Sequence, residues 1–303
     1  MLKIFEYSTD SNNSKLNPDF VTGLTDAEGC FSVNVYSSKT AKFKRRVELG
    51  FTIKMLDNET ELLKMVETFF NCGNLWHYPK DDTIRFRIVD KSSIKNKLIP
   101  HFLKYPLRGT KHLDFLSFKE AFQIIESKEH LTEWGLHHLC LLSKSMNTGR
   151  EFPIDYCNPN YIKENNLDYI PINGHYVNGF IAGDGCLTME TGKNFGCMRL
   201  SISQHINNKL LMESIAKYFK SPSKVYPRRS KGLEISLGGT LLWENVIFKH
   251  FEQYPMYGTK KLKLDNMFKT RELKRNNEHL IQIRNYKQWK PDYKLRIKDI
   301  WNK

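Results

Sequence analysis

Two carboxylates, Glu28 and Asp184, stand at equivalent places in a stretch that the chain contains twice. The first copy covers residues 20–31 and the second covers residues 176–187; in each, an apolar segment ends in an acid followed by glycine. Two acids brought close together repel each other, so a fold that carries such a pair favours a cation beside them. Carboxylate oxygens suit hard divalent cations. The sequence therefore points first to chemistry performed by two neighbouring carboxylates and a metal ion.

Small residues spaced four apart precede each acid and predict how the two copies meet. Gly23 and Ala27 lie in the first copy, and Gly179 and Gly183 lie in the second. At this spacing, small side chains form one flat face of a helix, which lets two helices pack with their backbones nearly in contact. Such packing would bring the two acids side by side. A glycine also follows each acid and fits a helix end that turns sharply; these are Gly29 and Gly185.

A second pair of matching segments extends the repetition through most of the chain. Residues 101–111 and 250–260 share a His-Phe start, a Tyr-Pro step and a Gly-Thr-Lys end. The two acids lie 156 positions apart, whereas these later segments lie 149 apart. We therefore expect one supersecondary unit used twice, with a first hairpin that is seven residues shorter in the second half.

Both signature stretches resemble the characteristic helix of the LAGLIDADG homing endonucleases, in the single-chain form with two motifs that fungal organellar introns encode. The resemblance covers most of the chain because the repeated segments reach well beyond the two helices. It implies an α+β fold of two pseudo-symmetric αββαββα repeats. In such a fold the signature helices form the central interface, and two antiparallel β-sheets form a saddle for DNA.

The pattern of apolar residues agrees with that organisation. Phe31, Val33 and Val35 alternate with polar neighbours after the first helix, and a basic loop separates them from a second alternating run, so the period indicates a hairpin. We expect a short N-terminal arm and the first repeat in residues 1–147, a linker in 148–173, and the second repeat with a basic C-terminal extension in 174–303.

Composition favours a polyanionic partner. Lys and Arg number 47 against 33 Asp and Glu, for a formal net charge of +14. No apolar run is long enough to span a bilayer, which argues against a membrane partner. The six cysteines contain no C-x-x-C pair, so neither a zinc site nor a redox motif is indicated. Cys30 and Cys186, at equivalent places in the repeats, are expected to be small buried side chains.

The resemblance implies a site-specific, monomeric endonuclease that hydrolyses both strands of a long asymmetric DNA target, leaves short 3' overhangs and promotes intron homing. Glu28 and Asp184 would each hold a metal ion, helped by the backbone carbonyls of Ala27 and Gly183. The expected ion is Mg²⁺, because all-oxygen ligation suits it; Mn²⁺ should substitute, and Ca²⁺ should support binding without cleavage. The side chain of Asp184 is shorter than that of Glu28, so the two sites need not be equally active.

Further residues are candidates for helping catalysis or for reading DNA. Basic or amide groups near the strand ends, Lys54, Arg87 and Gln204, are candidates for completing the active sites. Side chains on the DNA side of a two-stranded ribbon can reach base edges, while loop cations position the backbone. The DNA-binding candidates are Asn34, Tyr36, Ser38, Lys44, Arg46, Glu48, Arg85 and Arg87 in the first half, and Thr188, Glu190, Arg199, Ser201, Ser203, Arg228, Arg229, Lys231 and Glu234 in the second.

Two other functions remain open at this stage, and so does a purely structural role for the acids. Some proteins that resemble this family assist introns as RNA-binding maturases, which would make intron RNA a partner. A catalytically silent, sequence-specific DNA binder is the other alternative; in it, Glu28 and Asp184 would merely end two helices. A mitochondrial location is expected from the family resemblance and from an N-terminus that lacks an import signal.

Overall fold

A helix that runs directly into a two-stranded hairpin occurs twice in the computed structural model of the chain and forms its frame. The structure describes residues 15–41, 43–150, 171–190, 197–221, 225–228 and 231–275. Most of the predicted linker, the N-terminal arm, Arg229 and the C-terminal residues 276–303 lie outside these ranges. No helix in the described part is both long and apolar enough to cross a membrane.

The first half begins with the signature helix and alternates helices with hairpins. Asn17 caps that helix by accepting a hydrogen bond from the Asp19 backbone N–H, and Pro18 fills its first turn. The elements are α1 (Pro18–Glu28), β1 (Gly29–Ser37), β2 (Arg45–Leu56), α2 (Thr60–Phe70), β3 (Asn74–Tyr78), β4 (Thr83–Ile88), α3 (Lys91–Ser93), a π-helical turn (Ile94–Leu98), α4 (Ile99–Lys104), α5 (Lys111–Glu126) and α6 (Glu133–Lys144).

The second half repeats this order with a shorter first hairpin. Its first hairpin has strands of 5 and 8 residues where the first half has strands of 9 and 12, so the predicted shortening is confirmed. The elements are α7 (Gly174–Asp184), β5 (Gly185–Met189), β6 (Met198–His205), α8 (Lys209–Tyr218), β7 (Tyr226–Arg228), β8 (Gly232–Gly238), α9 (Thr240–Leu242), a second π-helical turn (Trp243–Ile247), α10 (Phe248–Gln253) and α11 (Thr259–Arg275).

Each half contains one four-stranded antiparallel sheet, in the orders β1-β2-β4-β3 and β5-β6-β8-β7. The registers correspond, because Gly29 pairs with Ile53 in the first sheet and Gly185 pairs with Ile202 in the second. Helices α1 and α7 pack against each other between the sheets. The α+β fold of two repeats with the signature helices at the central interface is therefore confirmed. Each half contains more helical segments after its second hairpin than the simple αββαββα order.

One sheet face of each half packs on its helices. In the first half, buried Phe31, Phe51 and Phe102 contact one another with ring centroids 5.0 to 5.7 Å apart. The same alternation that turns Phe31 to the core turns Cys30 away from it. Both Cys30 and Cys186 are exposed free thiols, so the prediction that they are buried was wrong. Each comes one position after the helix-ending glycine, and a strand inverts its side chains at every residue.

Candidate active site

Backbone contact between α1 and α7 depends on glycine at two symmetric positions. A Cβ atom added at Gly23 would lie 2.0 Å from the Tyr176 carbonyl oxygen, and one added at Gly179 would lie 1.9 Å from the Phe20 carbonyl oxygen. Near the end of the interface, a Cβ at Gly183 would come within 2.4 Å of the Ala27 Cβ and 2.8 Å of the Glu28 Cγ. The close packing therefore continues to the point where the two acids emerge.

The glycines after the acids are required by space rather than by backbone conformation. Gly29 and Gly185 have φ of −74° and −77°, in the extended region that any residue adopts. However, a Cβ at Gly29 would lie 2.5 Å from the Thr25 Cγ2, and a Cβ at Gly185 would lie 2.6 Å from the Ile181 Cγ2. Each signature helix ends at its acid, and the strand begins at the glycine that follows, with no linker between them. This direct connection fixes each acid at the junction.

Glu28 and Asp184 share a partly buried environment. Burial raises the pKa of Glu28 above its usual value, while the charges of Lys111, Lys260 and Lys54 lower it in part. Burial, followed by the negative charge of Glu28, raises the pKa of Asp184 to about 6. Two carboxylates that disfavour each other's ionisation are poised to gain from a cation placed between or beside them.

Two lysines that sequence reasoning did not assign to the site hold the ends of the signature helices. Lys111 Nζ donates to the carbonyl oxygens of Asp26 at 2.7 Å and Ala27 at 2.6 Å. Lys260 Nζ donates to the carbonyl oxygens of Ala182 at 2.5 Å and Gly183 at 2.6 Å. The cations meet the negative ends of the helix dipoles. Both lysines end the repeated Gly-Thr-Lys segment, which sequence reasoning used only to align the two halves. That repetition was the feature of the sequence that could have identified them.

These lysines bear on the predicted metal ligands. The carbonyls of Ala27 and Gly183, expected to face a metal ion, already accept hydrogen bonds from ammonium groups, although each oxygen has a second lone pair. Among the residues that the structure describes, no three His, Cys, Asp or Glu side chains form a cluster able to hold a metal ion. The protein itself thus offers two carboxylates and main-chain oxygens.

The three catalytic helper candidates have different surroundings. Gln204 Nε2 donates a hydrogen bond to Asp184 Oδ2. The side chain of Lys54 is exposed, and its positive charge lowers the pKa of Glu28. Arg87 instead donates to Glu48 Oε1 at 2.9 Å on the sheet. The structure therefore brings Gln204 into contact with an acid, places Lys54 within electrostatic range, and engages Arg87 with another DNA-binding candidate.

Most of the DNA-binding candidates lie on the sheet faces that point away from the helices. In the first sheet, Asn34 pairs with Glu48 and Tyr36 with Arg46, while Lys54 pairs with Arg85. Ser38 and Lys44 lie in the loop beyond these strands and share a backbone hydrogen bond of 2.8 Å. The second-sheet candidates are Thr188, Glu190, Arg199, Ser201, Ser203, Arg228, Lys231 and Glu234, of which Arg228 and Ser203 both contact Glu234.

Two exposed aromatic side chains of these faces were missed. Trp76 is 56% exposed and pairs with Arg85, whereas Tyr226 is 51% exposed and pairs with Glu234. They occupy equivalent places on the short edge strands of the two sheets. Large apolar side chains on an otherwise polar and charged face are typical of a contact surface. Edge strands this short carry little periodicity, so the sequence pattern did not single them out.

A family profile described as LAGLIDADG endonuclease matches residues 21–122 and 177–271. The chain is 29% identical over 283 residues to "Probable intron-encoded endonuclease 2" of Neurospora crassa, covering 88% of this chain and 62% of that protein. It is 33% identical over 122 residues to an uncharacterised protein of ND4 intron 1 in Podospora anserina, covering 40% of this chain and 27% of that one. The chain thus spans less than two thirds of these relatives.

Solved structures agree with the fold over nearly the whole chain. I-LtrWI, a LAGLIDADG homing endonuclease bound to target DNA, is 28% identical with a TM-score of 0.74, covering 89% of this chain and 96% of that one. I-SmaMI, bound to an uncleaved DNA target in the presence of calcium ions, is 24% identical with a TM-score of 0.77, covering 94% and 98%. With two matched repeats, adjoining signature helices and two sheets, the chain belongs to the LAGLIDADG endonuclease family.

Proposed function

We propose that the protein is a site-specific DNA endonuclease that hydrolyses both strands of a duplex, with Glu28 serving one strand and Asp184 the other. The observation that carries this proposal is the placement of the two acids at the adjoining ends of α1 and α7, between two sheets. A pseudo-twofold axis through that interface relates the acids as the twofold of a DNA duplex relates its strands. One carboxylate per strand is the expected arrangement for a double-strand break.

The two sheet faces support DNA as the substrate. They carry polar and cationic side chains on strands, the secondary structure of a ribbon that fits the major groove. The net charge of +14 adds sequence-independent attraction to phosphates. The faces differ between the halves, since Arg85 lies where the second half has Glu234. We therefore propose a long target whose two half-sites differ in sequence. DNA-bound I-LtrWI and I-SmaMI support the same proposal.

The donor set fits a hard divalent cation, and we assign Mg²⁺ as that ion. Mg²⁺ is commonly held by one or two carboxylates together with substrate phosphates and water, rather than by a full cage of protein ligands. Glu28 and Asp184 would hold it, with the carbonyls of Ala27 and Gly183 as further ligands. Bound there, the ion would supply a nucleophilic water and would stabilise the charge on the leaving oxygen. Mn²⁺ should replace it, while Ca²⁺ should permit binding only.

The chain's own residues prepare the site for this chemistry. The α1 and α7 junctions fix the two carboxylates, because neither helix end is free to move away from its strand. Lys111 and Lys260 lower the pKa of both acids and keep more of each in the ionised form that binds a cation. Gln204 acts on one acid alone by donating to Asp184. The two sites are therefore unequal, and we expect the two strands to be cut at different rates.

The names of the relatives support a proposal for the biological setting. Several are named for the introns that encode them, and ND4 is a mitochondrial gene, so we propose that this chain is encoded and acts in a mitochondrion. Cleavage of the intron-free allele, with short 3' overhangs, would then promote homing of the intron.

The test is cleavage of a duplex that joins the sequences flanking the host intron, with Mg²⁺ and in parallel with Ca²⁺. We expect a discrete double-strand cut with Mg²⁺ and binding alone with Ca²⁺. Glu28→Gln should abolish cutting of one strand and preserve binding in Ca²⁺. Tight binding without cutting in either metal would identify a silent binder. Absence of DNA binding, together with binding of the intron RNA, would identify a maturase.

A further inference from the structure

Each half anchors the loop that precedes the lysine of the other half. The backbone N–H of Thr110 donates to Asn208 Oδ1 at 2.8 Å, across the interface. Symmetrically, the backbone N–H of Thr259 donates to the Glu59 carboxylate at 3.1 and 3.2 Å. Asn208 and Glu59 occupy equivalent ends of the short 3₁₀ turns that follow β6 and β2. The anchor is therefore an amide on one side and a carboxylate on the other.

Hydrogen bonds link the amide anchor, Asn208, to one acid of the active site. Asn208 Nδ2 donates to Gln204 Oε1 at 2.8 Å, and Gln204 Nε2 donates to Asp184. Because the Thr110 backbone N–H can only donate, it must face the Asn208 oxygen. The Asn208 NH₂ group must then face Gln204, which leaves the Gln204 NH₂ group for Asp184. One fixed backbone donor thus sets the orientation of two side-chain amides in series.

The first half lacks the means to form such a chain. By the matching sheet registers, Met55 occupies the place of Gln204, and it is buried in the core. With no amide to orient, Glu59 needs only to accept from Thr259, which a carboxylate does well. The half with a glutamine beside its acid therefore has an amide anchor, Asn208, and the half without that glutamine has a carboxylate anchor, Glu59.

We propose that Asn208 is a positioning residue: it holds the Gln204 amide with its nitrogen toward Asp184 and so makes the Asp184 site depend on the Thr110 loop of the other half. This inference rests on the proposed function, in which Asp184 serves one DNA strand. Its consequence is specific to that strand, because the link reaches Asp184 and not Glu28.

Asn208→Asp is the most informative variant. The new carboxylate still accepts from the Thr110 N–H, so the contact between the halves is kept, but it cannot donate to Gln204. The Gln204 NH₂ group then turns toward the carboxylate and presents its oxygen to Asp184. Replacing an attractive contact by an oxygen facing the acid should slow cleavage of the Asp184 strand by about tenfold or more. Cleavage of the Glu28 strand should change less than about twofold.

The experiment follows both strands of one target duplex, each with its own end label, with Mg²⁺. The Asp184 strand is identified first as the one that Asp184→Asn leaves uncut. Asn208→Asp should then accumulate duplex nicked on the other strand. Glu59→Gln, the matched change in the first half, keeps an acceptor for Thr259 and should leave the ratio of the two strand rates unchanged. Gln204→Met should slow the same strand as Asn208→Asp, and adding Asn208→Asp to it should have little further effect.

Equal slowing of both strands, unchanged strand rates in Asn208→Asp, or additive effects with Gln204→Met would overturn the inference. Asn208→Ala provides a second route if the aspartate variant folds poorly, and it should slow the same strand. A wild-type chain that binds its target and cuts neither strand would overturn the proposed function and this inference with it. Wild-type cutting with a strand ratio insensitive to Asn208 would overturn the inference alone.

Discussion

The Tyr176 hydroxyl donates a hydrogen bond to Asp26 Oδ2 at 2.7 Å, joining α7 of one half to α1 of the other. Asp26 also accepts from the backbone N–H groups of Arg108 at 2.7 Å and Gly109 at 3.2 Å. The equivalent positions in the other half are Ala182 and Phe20, neither of which can form this bond. At this pair of equivalent positions, the halves are therefore joined by a buried hydrogen bond on one side and by apolar side chains on the other.

We expect Asp26→Ala to lower the free energy of unfolding by about 2–4 kcal/mol, because it leaves three donors without their acceptor in a buried place. Tyr176→Phe should cost only about 1 kcal/mol, since Asp26 keeps its two backbone donors. Chemical unfolding of both variants would measure the difference. Tyr226→Phe, a change at an exposed tyrosine, is the matched control and should be nearly neutral. Equal losses in the two tyrosine variants would show that the Tyr176–Asp26 bond adds no stability.

Gly23→Ala and Gly179→Ala should separate the two signature helices. Each added Cβ would meet a backbone carbonyl about 2 Å away, and a backbone atom cannot move aside as a flexible side chain can. We expect a loss of about 3 kcal/mol or more at each position. At Gly238 the nearest atom to an added Cβ is 3.9 Å away, so Gly238→Ala serves as the control. Melting temperatures of the three variants would test this, and a stable Gly179→Ala chain would contradict the described packing.

Two equivalent buried histidines should make the protein sensitive to acid. Burial lowers the pKa of His101 to about 4 and that of His250 to about 3. The unfolded chain takes up protons near the ordinary histidine pKa of 6.5, whereas the folded chain does not. The stability from these groups is therefore present above pH 6.5 and is lost as the pH falls toward 4, at about 1.4 kcal/mol per pH unit for each histidine.

A variant isolates this effect from the carboxylates that titrate in the same range. His250 Nε2 lies 2.6 Å from Asn178 Oδ1, and its Nδ1 lies 2.9 Å from the Tyr218 hydroxyl. His250→Gln removes the titrating ring, so the stability gap between wild type and variant should narrow between pH 7 and pH 5. Denaturant unfolding at the two pH values measures that gap. A gap that is constant with pH would mean that His250 takes up its proton at the ordinary histidine pKa in the folded chain, as it does in the unfolded chain.

The sequence predicted the parts of the site that local patterns encode. Gly23 and Gly179 had the spacing of a packing face, and the acids followed at the same offset in both copies, so the junction of α1 and α7 could be inferred. Lys111 and Lys260 could not be assigned in the same way. They lie more than 70 residues from the carbonyls they bind, and only the fold brings those atoms together. Burial of Cys30 was predicted wrongly because residue type was weighed above strand alternation.

The link between Asn208 and Thr110 shows a second limit of sequence reasoning. Gln204 was a candidate because of its type and its place near a strand end. However, its orientation depends on a backbone N–H that is 98 residues away from the anchoring asparagine. No periodicity carries that information, since the donor is a main-chain atom. Comparison of the two repeats does provide part of this information. The first repeat has Met55 and Glu59 at the two positions where the second repeat has Gln204 and Asn208, so both members of the pair differ between the repeats.

Removal of either helix-capping lysine should shift the pH dependence of cleavage. Lys111 and Lys260 both lower the pKa of Glu28 and of Asp184, so Lys260→Met should raise both values. A larger fraction of each acid is then protonated at a given pH, and less is available to bind a cation. Cleavage at fixed Mg²⁺ should therefore fall at neutral pH and recover at higher pH.

Lys64→Met removes the same charge from an exposed helix position and is the control for general loss of attraction to DNA. It should weaken binding slightly without moving the pH profile. Rates of single-turnover cleavage between pH 6 and pH 9 distinguish the two effects. A change in the pKa of the acids shifts the pH–rate profile along the pH axis, whereas a lower net charge reduces the rate by the same factor at every pH. If Lys260→Met only reduced the rate by the same factor at every pH, the lysine would hold the end of α7 without affecting the pKa values of the acids. Recovery at high pH would show that its charge acts on them directly.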